Sequence, residues 1–148
     1  MWRPATNRDD IKKLLHTAVR NLSRNQPNLN DFTSETGQTE WNLAHHLANE
    51  ISALLPEYDC DLDVMKRNFG NQRPDIILHE RGNDRHNHLV IEIKRHGSRP
   101  EIDEDVRKIR EDWFRLPLAY RFGALINLLH DEYSEIEVLV NNGAGEQV

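Results

Sequence analysis

The feature that most constrains the fold is a change in the spacing of apolar residues near Tyr58. Before this point, apolar residues recur at steps of three and four, which places them on one face of an α-helix. After it, apolar and acidic residues alternate, which is the spacing of a β-strand with one buried face. A chain that carries both patterns is typical of a mixed α/β domain.

The helical pattern occurs twice before the change. It predicts a helix over about residues 8–22 and a second from about Thr39 to Leu55, which Pro56 ends. The stretch 25–37 between them is rich in turn-forming residues and is predicted to be a loop. The stripe residues are Ile11, Leu14, Leu15, Ala18, Val19 and Leu22 in the first helix, and Leu43, Leu47, Ala48, Ile51, Leu54 and Leu55 in the second.

Strands are predicted in the second part of the chain. The first has Tyr58, Cys60, Leu62 and Val64 on its apolar face and Asp59, Asp61 and Asp63 on the other. Two more strands, 75–79 and 89–94, are joined by a hairpin over residues 80–88. A break at Gly97 to Pro100 precedes a helix from 101 to about 114 and strands over 122–129 and 136–140. The predicted order is α-α-β-β-β-α-β-β, as one domain over residues 1–148 with a flexible tail over 141–148.

Net charge excludes a uniformly basic nucleic-acid binder, because the chain carries −6 at pH 7. The charge is uneven: residues 1–30 and 81–121 are net positive, and the rest is net negative. If the two basic stretches meet in space, they form a phosphate-binding face on an acidic body. The alternative is that these charges are scattered over the surface and form no site. The outer side of the first helix, with Lys12, Lys13, Arg20 and Arg24, leaves the same choice between a DNA-binding arm and an ordinary exposed face.

Several protein classes lack support in the sequence. No apolar run approaches the ~20 residues of a membrane-spanning helix. No apolar stretch follows the first charged residues, so we expect a cytoplasmic protein. Cys60 is the only cysteine, which excludes an intrachain disulfide and a multi-cysteine zinc site. The glycine-rich phosphate-binding motifs of nucleotide-binding proteins are absent from the sequence.

Two carboxylates and a lysine are expected to converge at one end of the strands. Glu92 and Lys94 are two residues apart on a strand, so both side chains project from the same face, and the hairpin places Asp75 at the start of the neighbouring strand. Carboxylates bind Mg²⁺, which activates a water and neutralises phosphate charge. A lysine can orient that water, assist its deprotonation or stabilise the transition state. The alternative is a solvated Glu–Lys pair, although charges on a central strand are costly to bury unless they are paired or bind a metal.

Pro74-Asp75 followed by Glu92-Ile93-Lys94 resembles the PD-(D/E)xK signature of the restriction-endonuclease-like nucleases. The element order matches as well, since the family core is α-β-β-β-α-β with the signature on its second and third strands. The match covers about residues 34–129. The resemblance implies an α/β fold with a restriction-endonuclease-like αβββαβ core, a small mixed sheet flanked by helices, within about residues 34–140. The helix over 8–22 would be an N-terminal addition.

The resemblance also implies a role for each residue of the site. Asp75 and Glu92 would be metal ligands, joined by the backbone carbonyl of Ile93, and Lys94 would be the catalytic lysine. Glu40, on the helix before the first strand, would complete the metal site directly or through water. Glu50, ten residues further along that helix, faces another side and is the alternative for this role.

For function, the resemblance implies a Mg²⁺-dependent nuclease, with Mn²⁺ able to substitute. Members of the family act on DNA and less often on RNA, so DNA is the expected substrate. Arg73, Arg95, Arg99 and Lys108 would hold phosphates, although each also fits an ordinary exposed charge. A chain of this size has no room for a separate recognition domain. Specificity would therefore come from loops, a homodimer or a protein partner.

Two other functions remain open at this point. One is a catalytically silent member of the same fold that binds nucleic acid or acts as a scaffold. The other is an interaction protein with an unrelated α/β fold, in which Glu92 and Lys94 form only a surface ion pair. The acidic net charge is compatible with both.

Overall fold

A computed structural model describes residues 7–27, 29, 40–62, 75–82, 85–130 and 133–142. Its helices are α1 (Arg8–Asn25), α2 (Glu40–Leu54) and α3 (Arg99–Lys108), and α3 continues as a π-helix over Ile109–Trp113. Its strands are β1 (Asp59–Leu62), β2 (Ile76–His79), β3 (Leu89–Arg95), β4 (Phe122–His130) and β5 (Tyr133–Val140). The predicted order of helices and strands is confirmed. Across the described residues, no helix is both long and apolar enough to cross a membrane.

The five strands form one mixed sheet in the order β1-β2-β3-β4-β5. β1 with β2, β2 with β3, and β4 with β5 are antiparallel, whereas β3 and β4 are parallel. Parallel neighbours need a crossover connection, and α3 with its π-helical extension provides it. Over the residues that the structure describes, the protein is therefore an α/β protein with a mixed sheet and the three helices named above.

Helices cover both faces of the sheet. α1 and α2 pack on one face, against alternate residues of the strands such as Ile76 and Ile91. The crossover helix packs on the other face, called the α3 face below, against Ile77, Val90 and Leu125. The close fit on the α3 face depends on Gly123, because a Cβ there would lie 2.5 Å from Cγ2 of Ile109.

The start of α3 differs from the prediction. Ser98 caps the helix: its Oγ accepts from the backbone N–H of Glu101, and the Glu101 side chain accepts from the Ser98 N–H. Pro100 lies in the first turn, where its missing N–H is not needed. The predicted break at Gly97 to Pro100 is therefore wrong for Arg99 and Pro100, which begin the helix.

The two faces of β1 make different contacts: the apolar face packs in the core, and Asp61 on the acidic face forms hydrogen bonds with Arg81 and His79. Cys60 and Leu62 pack on the α2 side, as the alternation predicts, whereas Val64 lies outside the described residues. Asp61 accepts hydrogen bonds from the Arg81 guanidinium at 2.6 and 2.9 Å, and its Oδ2 lies 2.6 Å from Nε2 of the buried His79. The hydrogen bond from the Arg81 guanidinium holds the pKa of the Asp61 carboxyl below its ordinary value, and the hydrogen bond to His79 lowers it further.

Asp61→Asn should lower the free energy of unfolding by about 1–2 kcal/mol at pH 7, because it removes charged hydrogen bonds to Arg81. The folded-state pKa of Asp61 is depressed, so this stabilisation is complete above an unfolded-state pKa of about 4 and is lost as the pH falls through the lower folded value. Urea unfolding across this pH range measures it. The control Asp103→Asn breaks an exposed pair with Arg99 and should change stability by less than about 0.5 kcal/mol. Equal effects of the two substitutions would contradict this.

Candidate functional site

Strand alternation puts three of the predicted site residues on the α3 face. On β3, Val90 packs under the crossover helix, and Glu92 and Lys94 follow it on the same side. On the neighbouring strand, Ile76 lies opposite Ile91, so Asp75, one residue earlier, adjoins Glu92. The structure thus brings Asp75, Glu92 and Lys94 together where the apolar part of the α3 face ends.

A backbone hydrogen bond orients Asp75. The N–H of Ile93 donates to Oδ2 of Asp75 at 2.6 Å. The paired residues of β2 and β3 end at Ile76 and Ile91. Beyond them, the Asp75 carboxylate accepts the hydrogen bond that a backbone carbonyl would accept in a continued ladder. The carboxylate is therefore fixed to β3 at the residue between Glu92 and Lys94.

Glu92 lies in an environment that opposes its charge. Burial raises the pKa of its carboxyl well above the ordinary value, and repulsion from the carboxylates of Asp75 and Asp105 adds to the rise. The charges of Lys108 and Lys94 offset part of it. A group of partly buried like charges is stabilised by a bound cation, which is the electrostatic arrangement that a metal site requires.

Lys94 has a fixed partner on the crossover helix. Its Nζ lies 3.3 Å from Oδ2 of Asp105, a carboxylate that is only 4% exposed. Burial by itself lowers the pKa of Lys94, but the carboxylates of Asp105 and Glu92 outweigh it, so the net effect raises the pKa. Lys94 is therefore a cation at neutral pH, held between the strand and α3.

Asn127 fixes the turn that joins β3 to α3. Its Oδ1 accepts from the backbone N–H of Gly97 at 2.8 Å, and its Nδ2 donates to the Gly97 carbonyl at 3.2 Å and to Glu135 at 3.1 Å. A Cβ on Gly97 would lie 3.0 Å from Cβ of Lys94, so the turn passes directly against the lysine stem. These contacts set how α3 leaves the strand and therefore where Asp105 meets Lys94.

Sequence reasoning missed Asp105, although the sequence carries a signal for it. Ile102, Val106 and Ile109 mark the predicted buried stripe of the helix, and position 105 falls on that stripe at i+3 from Ile102. An aspartate among apolar positions is costly to bury unless it is paired. Such a carboxylate indicates a buried ion pair even without a structure.

The residues predicted to hold phosphates are spread over different parts of the molecule. Lys108 lies on α3, close enough to Glu92 to act on its charge. Arg99 is paired with Asp103 at 2.7 Å and Glu137 at 3.3 Å. Arg95 follows Lys94 directly and so belongs to the opposite face of the sheet. Arg73 lies outside the described residues.

The two glutamates considered for the helix position are also separated. Glu40 is the first residue of α2, and its side chain lies outside what the structure describes. Glu50 accepts a hydrogen bond from Asn25 Nδ2 at 2.8 Å, so it joins α2 to the end of α1. Glu50 therefore serves a contact between helices on the face opposite Asp75 and Glu92.

The carboxylate oxygens of Asp75 and Glu92 are the type of ligand that a hard divalent cation prefers. Among the described residues, no three His, Cys, Asp or Glu side chains form a group that could by itself hold a metal ion. Mg²⁺ is usually bound through one or two carboxylates and keeps several waters, and it prefers oxygen ligands. Asp75 and Glu92, adjacent on neighbouring strands and mutually repulsive, provide that kind of pair.

Comparison of the chain with models of protein families, with curated proteins and with solved structures gave no match.

Proposed function

We propose that the protein is a Mg²⁺-dependent nuclease of the PD-(D/E)xK type, a hydrolase that acts on the phosphodiester bonds of DNA. The observation that carries the proposal is the meeting of Asp75, Glu92 and Lys94 on one face of two adjacent strands. The order α2-β1-β2-β3-α3-β4 supports the restriction-endonuclease-like core, because Glu92 and Lys94 lie on its third strand and Asp75 directly precedes its second.

The proposed roles are those that the resemblance implies, and the positions of Asp75, Glu92 and Lys94 are compatible with them. Asp75 and Glu92 would hold Mg²⁺, which when bound supplies a Lewis acid that activates water and neutralises phosphate charge. The backbone N–H of Ile93 keeps the Asp75 carboxylate directed along β3. Lys94 is charged and its ammonium can donate hydrogen bonds. It would therefore orient the attacking water and stabilise the negative charge that develops on the phosphate oxygens. A nuclease that cuts both strands of a duplex would act as a homodimer or with a protein partner.

Asp105 would act as a positioning residue that directs the Lys94 ammonium. Asp105→Asn should lower the rate of cleavage by about 10–100-fold, the usual effect of losing a group that orients a catalytic residue. Unfolding by urea should change little, because the Lys94 side chain is 34% exposed and can be hydrated. Asp103→Asn, two residues earlier and exposed to solvent, is the matched control and should cleave like the wild type. Equal rates for wild type and both variants would refute this role.

The test of the function is a substrate panel. Purified protein is incubated with Mg²⁺ or Mn²⁺ and labelled linear, nicked, branched or single-stranded DNA, or RNA. The proposal predicts cleavage of at least one DNA substrate, no product in EDTA, and no product from Asp75→Ala. Product from Asp75→Ala at the wild-type rate would point to a contaminant. Nucleic-acid binding without product in any metal would replace the proposal with a catalytically silent member of the same fold.

A further inference from the structure

A row of cations lies on the side of α1 that faces away from the protein. At about 100° per residue, Lys13, Arg20 and Arg24 fall within an arc of about 40°. This arc lies directly opposite the buried residues Ile11, Leu15, Ala18, Val19 and Leu22. The three side chains are exposed and are spaced by about 10 Å and 6 Å along the axis. We call Lys13, Arg20 and Arg24 the outer row of α1.

No carboxylate among the described residues forms an ion pair with the outer row, although Asp9 and Asp10 lie one turn before Lys13. Other exposed arginines do form ion pairs: Arg99 is paired with Asp103 and Glu137, and Arg107 with Glu104 and Glu111. In a chain of net charge −6, a row of unpaired cations creates a local positive field on an acidic body.

The cations of α1 also act on the pKa of a neighbouring histidine, His16. His16 lies on α1 between Lys12 and Arg20. Partial burial lowers its pKa, and the charges of Lys12 and Arg20 lower it further. Lys12 therefore adds to the positive charge beside Arg20 of the outer row.

The apolar side of α1 decides between two polyanions, a membrane surface and a nucleic-acid backbone. A helix that binds a membrane surface inserts its apolar face between lipid head groups. The buried residues of α1 are used in the core, packed with α2 and the sheet. The exposed side therefore offers charged rather than apolar side chains, five basic (Arg8, Lys12, Lys13, Arg20 and Arg24) and two acidic (Asp9 and Asp10). A mostly cationic surface without an apolar face suits a phosphate backbone rather than a bilayer.

We propose that the outer row of α1 is a sequence-independent binding surface for the phosphate backbone of nucleic acid. It lies on the helix that covers the sheet face opposite Asp75 and Glu92, so it would hold a part of the nucleic acid away from the bond that is cut. The choice of nucleic acid as the polyanion rests on the proposed function. The surface itself rests on the exposure and spacing of its three cations and on the lack of an ion pair between them and any other described residue.

The test measures binding without cleavage. Fluorescence anisotropy with a labelled DNA duplex in EDTA compares wild type with the variant K13Q/R20Q/R24Q over a range of salt concentrations. The variant should bind at least about tenfold more weakly at low salt, and the slope of log affinity against log salt should fall by about 3. The control R110Q/R115Q/R121Q removes the same charge at three other exposed arginines and should keep most of the slope. Circular dichroism should show the same melting temperature for the outer-row variant and wild type, since glutamine is a good helix former.

Three results would overturn the proposal. They are an unchanged slope in K13Q/R20Q/R24Q, an equal fall in the control, and binding to anionic vesicles with no binding to DNA. The outcome is separate from that of the nuclease proposal, because EDTA prevents cleavage. Weaker binding by the variant supports the surface even if the wild type cuts nothing, and unchanged binding rejects it even if the wild type cuts DNA.

Discussion

Replacing Lys94 with alanine should lower the rate of Mg²⁺-dependent cleavage by about 10²–10⁴-fold, the range expected when a catalytic proton-transfer or charge-stabilising group is lost. The ammonium lies beside Glu92 and is fixed 3.3 Å from Asp105, so its removal takes a positioned cation from the site without opening the core. Single-turnover cleavage with excess protein measures the rate of the chemical step. Thermal unfolding of the same samples should show a folded protein with a lower melting temperature, because Asp105 stays buried without its partner.

The matched control for Lys94 is Arg110→Ala. Arg110 is an exposed cation in the π-helical segment after α3, and it has the same formal charge as Lys94. Its loss should change the cleavage rate by less than about threefold, as is usual for surface sites away from the chemistry. If Lys94→Ala and Arg110→Ala cleave at the same rate, Lys94 has no special role.

Replacing Glu92 with glutamine should abolish activity and at the same time stabilise the metal-free protein. Glu92 is partly buried beside the carboxylates of Asp75 and Asp105, and both burial and repulsion oppose its charge. An amide of the same shape removes that cost, so the free energy of unfolding in EDTA should rise by about 1 kcal/mol. Mg²⁺ should raise the melting temperature of the wild type, because a ligand that binds only the folded state stabilises it, and should leave the variant unchanged.

The control for Glu92 is Glu104→Gln. Glu104 is an exposed glutamate on α3 that pairs with Arg107. This variant should melt close to the wild type and should keep the response to Mg²⁺. A melting temperature of Glu92→Gln below that of the wild type in EDTA would show that Glu92 supports the fold rather than a metal.

The grouping of the site residues could be anticipated because it depends on local rules. A spacing of two on a strand puts Glu92 and Lys94 on one side, and a hairpin puts the next strand beside them. The same rule separates Arg95 from the site, since it is one residue past Lys94. The start of α3 could also have been predicted, because Ser98 and Glu101 have the spacing of a capping box.

Other parts of the site depend on contacts between distant residues, which the sequence does not encode locally. The register of β3 against β4 puts Asn127 opposite Lys94, where it reaches the turn at Gly97. The π-helix over Ile109–Trp113 departs from the 3.6-residue spacing on which helix prediction rests. Arg99 adjoins the site in sequence, yet its partner Glu137 comes from β5, and only the folded sheet brings them together.

The measurement that tests the central claim most directly is cleavage of labelled DNA in Mg²⁺ by wild type, Asp75→Asn and Lys94→Ala, purified in parallel and assayed together. If Asp75, Glu92 and Lys94 form a nuclease site, the wild type produces cut DNA, and both variants lose the product while they keep the fold. If all three proteins produce the same cut DNA at the same rate, or if none does while the wild type fails to bind Mg²⁺ or Mn²⁺, the account is contradicted.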